Sequence, residues 1–158
     1  MRLLTLVLLI MPLISCQVIE LEQDVEDETN SLIDGPQEVP SERDSVMHLL
    51  HGDVNKIWQA EGFTILGMSG FLNCRLDDSM TLFNDGTYIY DGGNSLCGAE
   101  DDTRIKEGTW SISDDLSTLI FKEGNLTHQA DLLGISNDQI RLRGGYQGLE
   151  LNAVYTSN

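Results

Sequence analysis

The stretch FLNCRLDDSMTLFNDGTYIYDGGNSLC, from Phe71 to Cys97, decides the fold class of this chain. At its centre Asn84-Asp85-Gly86 separates two short runs, Met80–Phe83 and Thr87–Tyr90. Asp-Gly between β-branched and aromatic residues is a strong local signal for a tight antiparallel hairpin. Glycine takes the positive φ that such a turn needs, and aspartate tolerates the position beside it. Cys74 and Cys97 bracket the hairpin, so a bridge between them would staple its base.

Working outward, the flanking sequence repeats the same pattern. Val46–Asn55 predicts a short turn of helix, and Lys56–Leu66 a strand in which Trp58 and Ala60 alternate with Ile57 and Gln59. Beyond an acidic loop at Gly98–Thr103 come strands at Arg104–Ile112, Ser117–Lys122, Thr127–Ile135, Gln139–Arg143 and Leu149–Thr156. In the last, Leu149, Leu151, Ala153 and Tyr155 share one face. Short turns of Gly, Asn and Asp join them, and no helical period is long enough for a βαβ unit. The pattern predicts an all-β domain of about eight antiparallel strands. A meander of that kind closes most economically as an up-and-down barrel, which removes its free edges.

The first residues have a different character. Arg2 precedes an apolar run, Leu3–Leu13, too short to span a bilayer and of signal-peptide size. It ends Leu13-Ile14-Ser15-Cys16, which resembles the lipobox of bacterial lipoproteins. The resemblance implies that residues 1–15 are removed and that Cys16 carries the acyl chains, palmitate among them, of a membrane anchor. With Gln17 rather than Asp in the next position, it also implies the outer membrane. From residue 16 to 45 the chain is acidic, with Arg43 its one Lys or Arg, and it contains no aromatic residue. Such a segment cannot bury enough surface to offset its ordering entropy, so a disordered tether is expected there, with the folded domain at 46–158. Glu20 and Glu22 resemble the acidic export signal of some Bacteroidetes surface lipoproteins, leaving the periplasmic face and the cell surface both open.

The formal charge is −17. It argues against nucleic-acid binding and against adhesion to anionic headgroups, both of which need clustered Lys and Arg. With Cys16 assigned to the anchor, the even pair Cys74 and Cys97 in an exported chain reads as a disulfide. A metal pair or a nucleophilic thiol fits less well, because no histidine stands close to either cysteine in sequence.

The order of features in the domain resembles the small lipocalin-like domains of Bacteroidetes lipoproteins. The matching residues are Lys56-Ile57-Trp58, then Cys74-Arg75-Leu76-Asp77-Asp78, then the Phe83–Tyr88 hairpin, Cys97, and Gly108-Thr109-Trp110-Ser111-Ile112. The likeness runs from Leu49 to Tyr155. Trp58 follows Lys56-Ile57 rather than the Gly-x of true lipocalins, and the Gly-x-Trp at Gly108–Trp110 lies mid-domain. The resemblance implies a barrel with an internal pocket for a small apolar ligand, and it implies no catalytic residue.

A search for reactive chemistry finds little. Gly67-Met68-Ser69-Gly70 is one residue short of a nucleophile elbow and leads into no helix, so it is better read as a loop break. His48 and His51 have a spacing that would suit a metal on one helical face, against the simpler reading of a solvated lead-in. Asp77-Asp78, Asp101-Asp102 and Asp114-Asp115 lack the alternating EF-hand pattern and fit turns on an acidic surface, with Glu100-Asp101-Asp102 the best calcium candidate. The expectation is a non-enzymatic protein without cofactor or metal, monomeric in its folded part. Its candidate ligand-binding residues are Trp58, Tyr88, Tyr90, Trp110 and Tyr155. The alternative is a barrel filled by its own side chains, contacting an envelope protein or glycan through its loops.

Overall fold

The computed structural model describes residues 35–69, 73–97 and 103–157. One helix, α1 (Arg43–His51), precedes strands β1 (Asn55–Ile65), β2 (Met68–Ser69), β3 (Ser79–Phe83), β4 (Thr87–Asp91) and β5 (Ile105–Ile112). β6 (Thr118–Glu123), β7 (Leu126–Ile135), β8 (Gln139–Tyr146) and β9 (Leu149–Thr156) follow. Each strand from β3 onward pairs antiparallel with the next, and β1 pairs with both β3 and β9. The sheet thus closes into an eight-stranded up-and-down barrel, with β2 a two-residue stub on the end of β1. Cys16 and the apolar leader lie outside the described residues, as does Glu100-Asp101-Asp102.

The central hairpin forms as the sequence dictates. Gly86 has φ +82° and donates its N–H to the Phe83 carbonyl at 3.1 Å. Asp85 accepts from the Thr87 backbone at 2.9 Å and from its hydroxyl at 2.6 Å, which locks the turn. The Cys74–Cys97 disulfide is present, with the two Cα atoms 5.4 Å apart.

The tight turns divide the barrel into two ends. The β3–β4, β5–β6 and β7–β8 turns lie at the end where α1 packs, and the β1–β2, β6–β7 and β8–β9 turns lie at the other, the mouth. At the helix end Val46 and Leu50 of α1 meet Trp58, Leu82, Leu119 and Ile140, all fully buried. Trp58 donates its indole N–H to the Leu50 carbonyl at 2.9 Å. Lys56 donates to the Leu49 carbonyl at 3.0 Å, with its ammonium 4.3 Å from the Trp58 ring. Two carbonyls of the helix's last turn, which lack partners within a helix, are thereby satisfied from β1.

Two bulges change which residues face inward. The β1–β9 register shifts between Ala60 and Gly62, so the inward set passes from Trp58 and Ala60 to Phe63 and Ile65. A second shift between Leu132 and Gly134 keeps Leu132 and Ile135 both inside.

The folded unit also reaches further back than the sequence predicts. The boundary expected between 45 and 46 falls inside α1, and residues that composition places in the tether lie on the barrel. The Ile135 N–H donates to the Glu38 carbonyl at 3.1 Å, Val39 packs against the core, and Arg43 donates to the Ser113 and Ile112 carbonyls at 3.2 Å each. The acidic side chains are exposed here, while backbone groups and a valine make the contact, which a composition argument does not register. Gly134 permits this strap: a Cβ there would lie 1.7 Å from the Pro36 carbonyl oxygen. Gly134→Ala is therefore expected to lift the strap at a cost of about 1–3 kcal/mol. Urea unfolding with hydrogen exchange checks this, because the Ile135 amide should lose protection before its strand neighbours do.

Candidate functional site

The helix end of the barrel is filled, and the mouth end is not. A cavity of about 290 Å³ opens there, walled by Tyr88, Tyr90, Phe121 and Tyr155 with Met80 and Leu142. Period-2 patterning explains why these residues face it. On β4 the inward positions are Tyr88 and Tyr90, and on β9 they are Leu151, Ala153 and Tyr155. Tyr88 stands opposite Gly108, whose missing side chain leaves room for the ring to meet Phe121 edge-on at 5.2 Å. Phe63 likewise meets Tyr155 edge-on at 5.9 Å.

Three of the five aromatic residues singled out in the sequence, Tyr88, Tyr90 and Tyr155, line this cavity. Trp58 and Trp110 do not. Trp58 is buried under α1, and Trp110 donates its indole N–H to the Phe83 carbonyl at 3.0 Å with its ring 6.0 Å from that of His51. Strand parity places a side chain inside the barrel, but it does not say how far along the axis. Phe121, Arg75 and Lys106 also line the cavity, and sequence reasoning did not single them out as binding residues. The alternation Lys106, Gly108, Trp110, Ile112 on one face of β5 carried the signal for Lys106.

One wall carries a buried polar cluster. Asp78, 1% exposed, accepts hydrogen bonds from the Tyr90 hydroxyl and from Arg75 Nη1, the latter at 3.3 Å. Arg75 also donates to the Tyr90 oxygen at 3.3 Å. The turn that positions this pair begins with Asn73–Arg75 and includes Cys74, so the disulfide holds the arginine in place. The Asp78 backbone is fixed as well, its N–H donating to the Arg75 carbonyl and its own carbonyl accepting from the Ala60 N–H. Asp77 instead turns outward, accepting from the Asn94 N–H at 2.7 Å. The two adjacent carboxylates thus do separate work.

Burial pushes the Asp78 carboxyl above the ordinary carboxylate range, although Tyr90 and Arg75 pull the other way. Burial also raises the Tyr90 and Tyr155 phenols far above their usual range, with the neighbouring tyrosine and Asp78 adding to it for Tyr90 and Asp78 adding to it for Tyr155. Both hydroxyls therefore keep their protons. The Tyr155 and Tyr88 hydroxyls have no hydrogen-bond partner among the described residues, and both residues line the cavity. At the rim Lys106, Glu123 and His128 complete the wall. The arrangement suits a compact, mostly apolar molecule with an acceptor atom for a tyrosine hydroxyl.

Other candidates take ordinary places. Ser69 of the Gly-x-Ser-Gly run pairs with Thr64 in the β1–β2 stub. His48 lies 3.8 Å from Asp53, and His51 packs toward Trp110. Among the described residues no three His, Cys, Asp or Glu side chains group as a metal site, and no helix is long and apolar enough to cross a membrane. No family model matches the chain, and no curated protein matches it either.

The Asp78 environment has a pH signature. A carboxyl whose folded pKa is raised contributes stability below the unfolded value of 3.8, and loses it as pH rises through the folded value. The unfolding free energy of the wild type minus that of Asp78→Asn should therefore fall as pH climbs above 3.8. Urea titrations across pH measure this, and a difference that rises with pH would contradict the buried-carboxylate account.

Proposed function

We propose that this chain is a membrane-anchored, lipocalin-like lipoprotein that binds a small, mostly apolar ligand inside its barrel. The observation that carries this reading is the aromatic-walled cavity in one half of a barrel whose other half is packed solid. Apolar walls with a few convergent polar groups are the usual make-up of a small-molecule site. The volume of about 290 Å³ is at the small end for such sites, which favours a compact ligand over a long acyl chain. Tyr155 and Tyr88 supply donors for an acceptor on the ligand, and the Arg75–Asp78–Tyr90 cluster fixes the wall behind them. No step of bond-making is assigned to any residue. The rival reading, a barrel filled by its own side chains, needs that volume to be occupied.

The anchor is read from Leu13–Cys16, with acyl chains on Cys16 holding the domain at the outer membrane, on its periplasmic face or at the cell surface. Two acyl chains or more anchor stably, whereas one does so only marginally. Cells fed labelled palmitate should incorporate it into the wild type and not into Cys16→Ala. A label retained by that variant would remove the lipoprotein reading.

Native mass spectrometry of the full chain, purified from its own compartment, tests the cavity. The expected result is a reproducible added mass of one ligand, lost on denaturation. Ala153→Phe, which adds a ring inside the cavity, should reduce the liganded fraction at least tenfold while the barrel still unfolds cooperatively. A wild type with no adduct, and with no saturable uptake of an apolar fluorescent probe, would favour the filled-barrel module.

A further inference from the structure

The ladder between β7 and β8 stops partway along both strands. It begins beside their turn at Ile135↔Ile140, and its last rung toward the mouth is Asp131↔Arg143. Past that rung β7 extends from Ala130 to Leu126 and β8 from Gly144 to Tyr146, and no rung joins these described residues. On their other sides both stretches stay paired to the tips, β7 with β6 as far as Glu123↔Leu126 and β8 with β9 as far as Tyr146↔Leu149. The β6–β7 and β8–β9 hairpins therefore separate in the side wall of the barrel. The cause is local, because the bulge between Leu132 and Gly134 bends β7 just before the ladder ends. From Leu126 to Gln129 every side chain is exposed, whichever face of the strand it occupies.

The cavity reaches this seam. His128, Gln129 and Ala130 on one lip, and Gly144 and Gly145 on the other, belong to its walls. Two successive glycines weaken a strand, and they mark places where a ligand or another chain comes close. The fold itself does not demand these two. Neither has a positive φ. Beyond its chain neighbours, a Cβ on Gly144 would meet nothing nearer than the Gln129 carbonyl oxygen at 3.6 Å, and one on Gly145 nothing nearer than the Leu149 carbonyl oxygen at 3.9 Å. Gly108 and Gly134 differ, since backbone oxygens would lie 2.0 Å and 1.7 Å from a Cβ there.

We propose that the β7–β8 seam is the portal through which the ligand enters and leaves, kept passable by Gly144 and Gly145; this rests on the cavity being a ligand site. In the structure the lips stand close together, so passage requires them to part. Parting them breaks no rung of the ladder. The hairpins would flex about Asp131↔Arg143, which an ion pair between the same two side chains reinforces at 2.9 Å. Unpaired strand edges can also receive an extended peptide. A strand slotted between the lips needs about 4.8 Å on each side, and the approach of the Gln129 oxygen to Gly144 leaves no such slot. A small molecule crossing the seam needs only a transient gap.

The test uses the full chain carrying Cys16→Ser and the neutral fluorescent probe N-phenylnaphthylamine, with association and dissociation followed by stopped flow. Ala130→Cys with Gly144→Cys, at the positions next in line after the last rung, locks the seam once the disulfide has formed. Both rates should fall at least tenfold relative to each single-cysteine variant, with Kd changed less than the rates, as expected for a blocked passage. Gly144→Val should slow both rates as well, and unfold at the same or a higher urea concentration. In the Cys16→Ser chain, the Gln129 and Gly145 amides should exchange hydrogen far faster than those of Asp131 and Arg143. Unchanged rates in the locked chain or in Gly144→Val would place entry over the rim and overturn the portal while leaving the cavity reading intact. Protection that runs unbroken through Gln129 and Gly145, or a Gly144→Val variant that is destabilised, would overturn it too. A starting chain that takes up no probe and carries no ligand in native mass spectra overturns the cavity reading, and the portal with it.

Discussion

The structure depends on how β1 receives the end of α1. Trp58 is fully buried with its indole N–H on the Leu50 carbonyl, and Lys56 reaches the Leu49 carbonyl across the face of that indole. A helix end brought against a barrel opening would otherwise bury unpaired carbonyls, each costing about 1–3 kcal/mol. With those groups satisfied, Val46 and Leu50 can enter the barrel, each gaining about 1.5–3 kcal/mol by burial. The result is a barrel closed at one end by its own preceding segment. An eight-stranded barrel is just wide enough to be filled or to hold one small molecule. Here it does the first at the helix end and has space for the second at the mouth.

Much of this was legible in the sequence because antiparallel pairing is local. The Asn84-Asp85-Gly86 turn, the alternation Gly108–Ile112 and the face Leu149–Tyr155 each involve a strand and its immediate neighbour in the chain. Neighbouring runs separated by turn residues can be paired without knowing the rest of the fold. The disulfide was legible for a related reason, since its cysteines flank one such hairpin.

What was not legible depends on contacts between distant segments. The bulge at Ala60–Gly62 leaves Phe63 and Ile65 inside although strict alternation would place them outside, and nothing in the sequence of β1 alone marks it. The docking of Glu38 and Val39 on β7 depends on Gly134, almost a hundred residues away in the chain. Depth along the barrel axis was equally hidden. Trp110 and Tyr88 both face inward, yet one belongs to the plug and the other to the cavity wall, because the helix fills only one end.

The cavity persists because its walls are held back from it. Tyr90 is pinned through its hydroxyl to Asp78, and Arg75 ties both to a turn closed by the disulfide. Tyr88 leans edge-on against Phe121, and Tyr155 against Phe63. Edge-to-face pairs of this kind add about 0.5–1.5 kcal/mol to the burial they represent, enough to favour one ring orientation over a swing into the open space. The polar cluster also explains a buried charge that would otherwise be a liability. A charged carboxylate is costly inside a barrel, but Asp78 accepts from two side chains whose positions it fixes in return. Stability surrendered to that burial is recovered as a rigid wall, and a rigid wall spares an incoming ligand the entropy of ordering it.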